Sequence, residues 1–264
     1  MTVDAPGASL HCEEISHAYP SDGGRVKALS GIDLRAAPGE FVSIVGPSGC
    51  GKSTLLRIIA GLTTPNAGTV TFTGDGTVEH VRNALVFQEH GVFPWMTVLD
   101  NVAFGLEMRG VARLDRHRAA RAFIERVGLE GFADSFPHQL SVGMRQRVGI
   151  ARAFVAEVPV LLMDEPFGSL DAQTKLVLQE ELLRLWSEDR KLVLYVTHDI
   201  EEAVRMSDRV LVMSGRPGRI REEIAVPFGR PRVLERGDAE VARLVWHIWD
   251  LLRDDVRTGL SVRE

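Results

Sequence analysis

The run FVSIVGPSGCGKSTLLRII, residues 41–59, decides how the rest of the chain is read. Phe41 to Val45 is a short apolar stretch of the kind buried on both faces as a strand, and it stops at Gly46. Leu55, Leu56, Ile58 and Ile59 resume the apolar pattern at helical spacing and end near Gly61. Between them residues 46–53 spell GPSGCGKS, which satisfies the G-x-x-x-x-G-K-[ST] phosphate-loop pattern in the strand, loop and helix context that gives it meaning. Gly46, Gly49 and Gly51 let the main chain wrap phosphate groups, with Pro47, Ser48 and Cys50 completing the loop, so that successive N–H groups and the helix start face negative charge. Lys52 is placed to reach β- and γ-phosphates, the Ser53 hydroxyl to ligate Mg²⁺, and Thr54 to touch the α-phosphate of ATP. A glycine turn without a ligand is the competing reading, and the flanking strand and helix disfavour it.

Upstream, Ile15, Ala18, Val26, Leu29, Ile32 and Leu34 are broken by polar residues and by the turn SDGGR, which predicts short antiparallel strands over residues 10–34. Downstream, strands are expected at 69–73, 83–87, 160–163, 191–197 and 209–213, most of them followed by helical stretches. That alternation predicts a mainly parallel α/β core. Residues 87–160 hold little strand pattern, while 101–108, 116–127 and 144–155 read as helices, so a helical lobe is expected to be inserted into the core. SGRPGRI after Met213 is read as a turn. A final helix from about Asp238 places Val241, Leu244, Val245, Ile248 and Leu252 on one face, which predicts docking on the core; Trp246 and Trp249 could instead meet a partner.

VLLMDEP, residues 160–166, is an apolar strand that ends in two carboxylates. Asp164 is delivered to the strand end, where it can hold the metal through water, and Glu165 is the candidate for polarising the attacking water. Gln88 ends another strand and can touch Mg²⁺ or that water; taken alone, such a residue is more often a surface polar group. His198 follows the strand pattern LVLYVTHD and is either a structural histidine or a γ-phosphate sensor.

Composition removes several classes. In 264 residues, 31 Lys and Arg face 36 Asp and Glu, a net charge of −5 with no basic tail, which disfavours nucleic acid as a partner. The two cysteines, Cys12 and Cys50, are too few for a disulfide framework, so a reducing, cytoplasmic setting is expected. Cys50 beside Lys52 suggests a thiol open to reagents. No run of about 18 apolar residues is present, and MTVDAPGASLHCEE lacks the charged start and apolar core of an export signal. If a membrane is involved, other chains supply the spanning helices.

HQLSVGMRQR, residues 138–147, poses a separate question. A helix carrying Met144, Val148, Ala151 and Val155 begins just after Gly143, so Ser141, Val142 and Gly143 offer N–H groups and a hydroxyl at its positive end. One ATP needs one cradle. The economical inference is that this second anion site contacts ATP held by another copy of the chain in a twofold sandwich; an ordinary serine N-cap is the plainer alternative.

Taken in order, GPSGCGKST, Gln88, LSVGMRQRVGIARAF, VLLMDEP, SLD and His198 resemble the nucleotide-binding subunit of ABC transporters over nearly the whole chain. FPWMTVLDNVAFGLEMRG, MDEPFGSLDAQTKLVLQEELLRLW and THDIEEAVRMSDRVLVMSGRPGRI are most similar to the importer subunits for nitrate, sulfonate and taurine-type anions. The resemblance implies a P-loop NTPase α/β core with an N-terminal antiparallel β-subdomain and an inserted helical lobe. The core and β-subdomain take about 1–87 and 157–230, the lobe about 88–156, and a C-terminal helical extension about 231–264. It also implies that Tyr19 stacks on adenine, that Gln88 couples the lobe, that Ser141 and Gly143 make the composite-site contact, that Glu165 is the catalytic base, that Ser169 to Asp171 form the cross-dimer loop, and that His198 is the switch histidine. The implied cofactors are ATP and Mg²⁺. The implied partners are a second copy, membrane permease subunits and, indirectly, a solute-binding protein, at the cytoplasmic face of the membrane. One departure stands out: the family pattern has glycine where this chain has Val142, a β-branched residue that does not readily take positive φ. Either its backbone stays in an ordinary region and only its N–H is used, or the contact with the second nucleotide is weakened and hydrolysis slowed. Rival classes are an ABC-type ATPase for another cargo, a machine acting on DNA or ribosomes, which would carry coiled coils or basic tracts, and a phosphotransferase, which would not need residues 141–143.

Overall fold

The computed structural model describes residues 7–21, 23–74, 83–87, 91–230, 232 and 239–261. Along the chain come β1 (Ser9–Ser21), β2 (Gly24–Ala36), β3 (Phe41–Val45), α1 (Lys52–Ile59) and β4 (Ala67–Thr73). Then follow β5 (Asn83–Val86), α2 (Val98–Met108), α3 (Arg113–Arg126), α4 (Val142–Val155), β6 (Val160–Asp164) and α5 (Ala172–Glu188). The remainder is β7 (Leu192–Val196), α6 (Ile200–Met206), β8 (Arg209–Met213), β9 (Ile220–Ala225) and α7 (Ala239–Ser261). Two compact units emerge, one made of residues 1–79 and 192–264, the other of residues 80–191.

In the first unit β1 pairs antiparallel with β2 and with β4, and the β1–β2 hairpin closes at Ser21 opposite Gly24. These are two long, bulged strands rather than the short ones expected from the broken apolar pattern. The bulges fall between Cys12 and Ala18, where the alternation fails. β3 is parallel to β7 on one side and to β8 on the other, and every residue of β3 and β7 is buried, as apolar runs without alternation require. β9 is antiparallel to β8, in a stretch where the sequence predicts a turn at SGRPGRI and no strand after it. Helix α1 ends at Gly61, whose φ of 75° lets its N–H reach Ile58 O at 3.0 Å while Leu62 N–H reaches Arg57 O at 2.9 Å, a Schellman end.

Helix α7 docks on the core by the face expected of it. Val241, Ile248 and Leu252 are buried with Val45, Ala203, Val204, Val210, Val212, Ile224 and Val226, and Leu244 and Val245 pack alongside. Trp246 and Trp249 lie outside this cluster, 65% and 42% exposed.

In the second unit β5 and β6 pair in parallel from Asn83 opposite Val160 to Val86 opposite Met163. Helices α2, α3 and α4 pack on one another, and α4 also meets α5 and β5. Helix α2 starts at Thr97, whose hydroxyl accepts the Asp100 N–H at 3.1 Å, and α3 starts three residues earlier than its apolar pattern, since Arg113 to Asp115 are exposed. Trp186 of α5 is fully buried; its indole N–H donates to Lys191 O at 2.8 Å and the Arg190 guanidinium lies 4.3 Å from the ring centre. The α/β class, the parallel strands, the N-terminal antiparallel sheet and the helical insertion are all present as expected.

Candidate functional site

The phosphate loop belongs to the first unit and grows out of the buried strand β3. Lys52 is 6% exposed, and its ammonium donates to Gly46 O at 2.8 Å and Pro47 O at 3.2 Å. Cys50 N–H closes the turn on Pro47 O at 3.3 Å, and Leu55 N–H takes the Gly51 carbonyl at 2.9 Å as the first helical bond of α1. Gly51 caps that helix at φ 108° with no side-chain cap, and the positive end of α1 faces the loop, an arrangement that favours an anion. A β-carbon at Gly46 would lie 2.9 Å from both Cys50 Sγ and Met213 O, which leaves room there for glycine alone. A buried cation behind a glycine-shaped rim of backbone donors fits the phosphates of ATP.

Tyr19 of β1 joins this loop: its hydroxyl lies 3.3 Å from Thr54 Oγ1, and its half-exposed ring meets His17 edge-on at 4.6 Å. Ser48 is exposed and Ser53 half-buried. β3 and β7 are parallel neighbours with Ile44 opposite Val196, so the loops after both strands leave the same edge, and His198 stands exposed on the second. That bend is anchored by Glu202, a residue not singled out in the sequence. Its buried carboxylate accepts from Tyr195 Oη at 2.6 Å and from the Thr197 hydroxyl, while Asp199 caps α6 by accepting Glu202 N–H at 3.1 Å. The Asp-x-x-Glu spacing signals the start of α6 but not this buried role, since Asp199 N–H donates to Thr197 Oγ1 at 3.0 Å rather than to Glu202.

Cys50 corrects one expectation. The thiol is 1% exposed, and burial raises its pKa, a push only partly opposed by Lys52. Cys12 is likewise buried, its thiol pushed up to about 12 by burial and then by Asp33. Neither is a thiolate at neutral pH.

The second unit carries the carboxylates and the second helix start. β6 delivers Asp164 buried at its end, and Glu165 follows with φ 44°, a left-handed conformation that a non-glycine residue adopts at a cost of about 1–3 kcal/mol. The turn is fixed by Gly168 N–H on Glu165 O at 3.1 Å. Ser141 is the N-cap of α4, its hydroxyl accepting Met144 N–H at 3.3 Å. Val142 is the first helical residue and is absent from the positive-φ positions, so its side chain is compatible with the backbone and half-exposed. A β-carbon at Gly143 would lie 3.3 Å from Thr174 Cγ2, which brings residues 141–143 beside the start of α5. That start is capped by Asp171, which accepts N–H groups of Gln173 at 3.1 Å and Thr174 at 3.0 Å. Gln88 lies outside the described residues.

A family model described as ABC transporter matches residues 29–168. The chain is 45% identical over 98% of its length to an uncharacterized ABC transporter ATP-binding protein of Methanocaldococcus jannaschii, covering 96% of that protein. It is 45% identical over 84% of its length to a taurine import ATP-binding protein of Chromobacterium violaceum (85% of that protein) and 44% identical over 82% to a nitrate import ATP-binding protein of Synechocystis (82% of that protein). Among solved structures it resembles a dimeric bacterial ABC transporter cassette, with TM-score 0.72, 34% identity, and coverage of 83% of this chain and 100% of that one. A post-hydrolysis form of that cassette bound to ADP and Pi matches at TM-score 0.72 and 33% identity, with the same coverage.

Proposed function

The chain belongs to the ABC transporter family, and from that premise we propose that its ATPase activity drives import of a small anion of the taurine, sulfonate or nitrate kind. The observation that carries the choice of cargo class is the 45% identity to a taurine import ATP-binding protein over 84% of the chain, seconded by the nitrate import relative.

In this proposal Lys52 and the backbone of residues 46–53 hold the phosphates, Thr54 touches the first of them, and Tyr19 offers its ring to adenine. Mg²⁺, when bound, neutralises charge on the phosphate oxygens. The Ser53 hydroxyl and the Asp164 carboxylate are hard oxygen donors of the kind it prefers, with Gln88 a third. Glu165 accepts a proton from the attacking water, and His198 contacts the terminal phosphate. Ser141, Val142, Gly143 and Asp171 reach the nucleotide of a second copy; the dimeric cassette among the similar structures supports this arrangement. ATP favours the closed dimer only through contacts made there and not in the open one, and those across-dimer contacts are the differential. The helical stretch 88–156 meets a membrane permease, itself served by a solute-binding protein, at the cytoplasmic face. Among the described residues no helix is long and apolar enough to cross a membrane, which accords with a peripheral subunit.

Glu165→Gln tests the assignment. With the proton acceptor removed and binding intact, saturating Mg·ATP should hold the variant as a dimer in size-exclusion chromatography with light scattering. A variant that stays monomeric both alone and with its permease overturns the sandwich. Co-purification with nucleic acid instead of membrane subunits overturns the transport role.

A further inference from the structure

We propose that Arg216 is a positioning residue for the phosphate loop, and that Asp255 of α7 holds the segment bearing Arg216 in place. The inference rests on ATP occupying residues 46–53 and adds a contact from the far end of the chain to that site.

The end of β8 and its connection to β9 run along the phosphate loop and touch it at three points. At the first, the Met213 carbonyl faces Gly46, where a β-carbon would come within 2.9 Å of it. At the second, Gly218 lies against Cys50 so closely that a β-carbon would sit 2.2 Å from the Cys50 carbonyl oxygen. Gly218 is itself fixed to β2, donating to Ala28 O at 2.9 Å and accepting Ser30 N–H at 3.0 Å. Between these two contacts Arg216 Nε donates to Gly49 O at 3.3 Å, with another guanidinium nitrogen 3.5 Å from the place of a Gly49 β-carbon.

The peptide group that joins Gly49 to Cys50 is therefore held at both ends. Arg216 holds its carbonyl, and the Pro47 carbonyl holds its N–H at 3.3 Å. A peptide group turns as a rigid unit, so a flip here would bring an acceptor into a rim that binds anions through its donors. Arg216 opposes that flip with a hydrogen bond from a charged donor to the Gly49 carbonyl. The segment bearing it is gripped from α7: the Asp255 carboxylate accepts Gly215 N–H at 2.9 Å and pairs with Arg221 at 2.9 Å, and Arg221 also donates to the Leu251 carbonyl.

Nucleotide affinity of the full-length chain, read by displacement of a fluorescent ATP analogue with AMP, ADP and ATP, tests the chain of contacts. Arg216→Ala should weaken ADP and ATP about fivefold and AMP by less than about twofold, because in the proposed site Thr54 takes the first phosphate and the held peptide is left to those beyond it. Arg216→Lys should recover most of the affinity, since an ammonium can still donate to Gly49 O. Asp255→Ala should lose affinity in the same direction, and the double variant should bind no worse than Arg216→Ala, as both act through one contact. Wild-type affinity in Arg216→Ala, or a loss equal for AMP and ATP, overturns the proposal. Undiminished ATP binding by Lys52→Ala would instead overturn the placement of ATP in this loop.

Discussion

Gly51→Ala separates the contribution of backbone conformation to the phosphate loop from that of close packing, when set beside Gly61→Ala. At Gly51, φ is 108° and ψ 10°, where an L side chain is strained by about 1–3 kcal/mol. A β-carbon there would also lie 2.7 Å from Leu29 Cδ2 and 2.9 Å from the Ala28 carbonyl oxygen. The leucine can swing aside. The carbonyl cannot, because it belongs to β2 and already accepts Gly218 N–H at 2.9 Å. Overpacking of that kind costs about 1–3 kcal/mol, so the substitution should destabilise by about 2–6 kcal/mol in all. Gly61 has a comparable conformation, φ 75°, with open space around the added carbon, so its substitution carries the strain alone, about 1–2 kcal/mol. In a chain of this size each kcal/mol lowers the melting temperature by about 2–4 °C, so Gly61→Ala should lose a few degrees and Gly51→Ala on the order of 5–20 °C. Differential scanning calorimetry of the two variants decides it. A Gly51→Ala protein that melts no lower than Gly61→Ala refutes the claim that the β2 carbonyl forbids a side chain.

Val142→Gly should leave steady-state ATP turnover of the assembled transporter at or above the wild-type rate, since Val142 already sits in an ordinary helical conformation; a loss of more than about tenfold would mean the valine is required. Asp171 has its pKa lowered below the ordinary 3.8, by the Thr174 hydroxyl first and then by the N–H groups of Thr174 and Gln173. A carboxyl with a depressed folded pKa stabilises fully above its unfolded value and ceases to as pH falls through the folded one. Wild type should therefore lose more stability than Asp171→Asn between about pH 6 and about pH 2, measured by urea titration, and parallel losses would contradict the cap's charge dependence. Cys12 and Cys50, both buried, should resist a disulfide reagent in the native protein and react together only in guanidinium. Rapid native labelling of Cys50 would show the loop to be far more open than its packing allows.

What could be seen in the sequence divides along a physical line. Phe41–Val45 and Leu192–Val196 are buried throughout and declare themselves by uninterrupted apolar runs. Strand β9 did not, because its burial pattern leaves only Ile224 inside while Arg221, Glu222 and Glu223 occupy its middle, a composition with no strand signal until β8 supplies the ladder. The phosphate loop and the paired carboxylates are local words and were legible as such. The backbone conformation at Val142 was open in the sequence, and its place as the first residue of α4, outside the positive-φ positions, answers that part of the question. Glu202 was not singled out, because an acid in the first turn of a helix gives no sign in the sequence that it is buried against Tyr195 and Thr197. Arg216 and Asp255 were invisible for a different reason: 167 positions separate Arg216 from the Gly49 carbonyl it holds, and 40 separate Asp255 from Gly215, distances over which a single sequence gives no pairing signal.

The four tryptophans have unequal surroundings: Trp186 is 1% exposed, against 70% for Trp95, 65% for Trp246 and 42% for Trp249. Trp95 and Trp246 are mostly exposed to water and Trp249 partly so, and loss of native structure therefore changes the colour of the emitted light most through Trp186. A spectral red shift on heating or in denaturant then weights the unit formed by residues 80–191, and reports the unit that carries the phosphate loop more weakly, through Trp249.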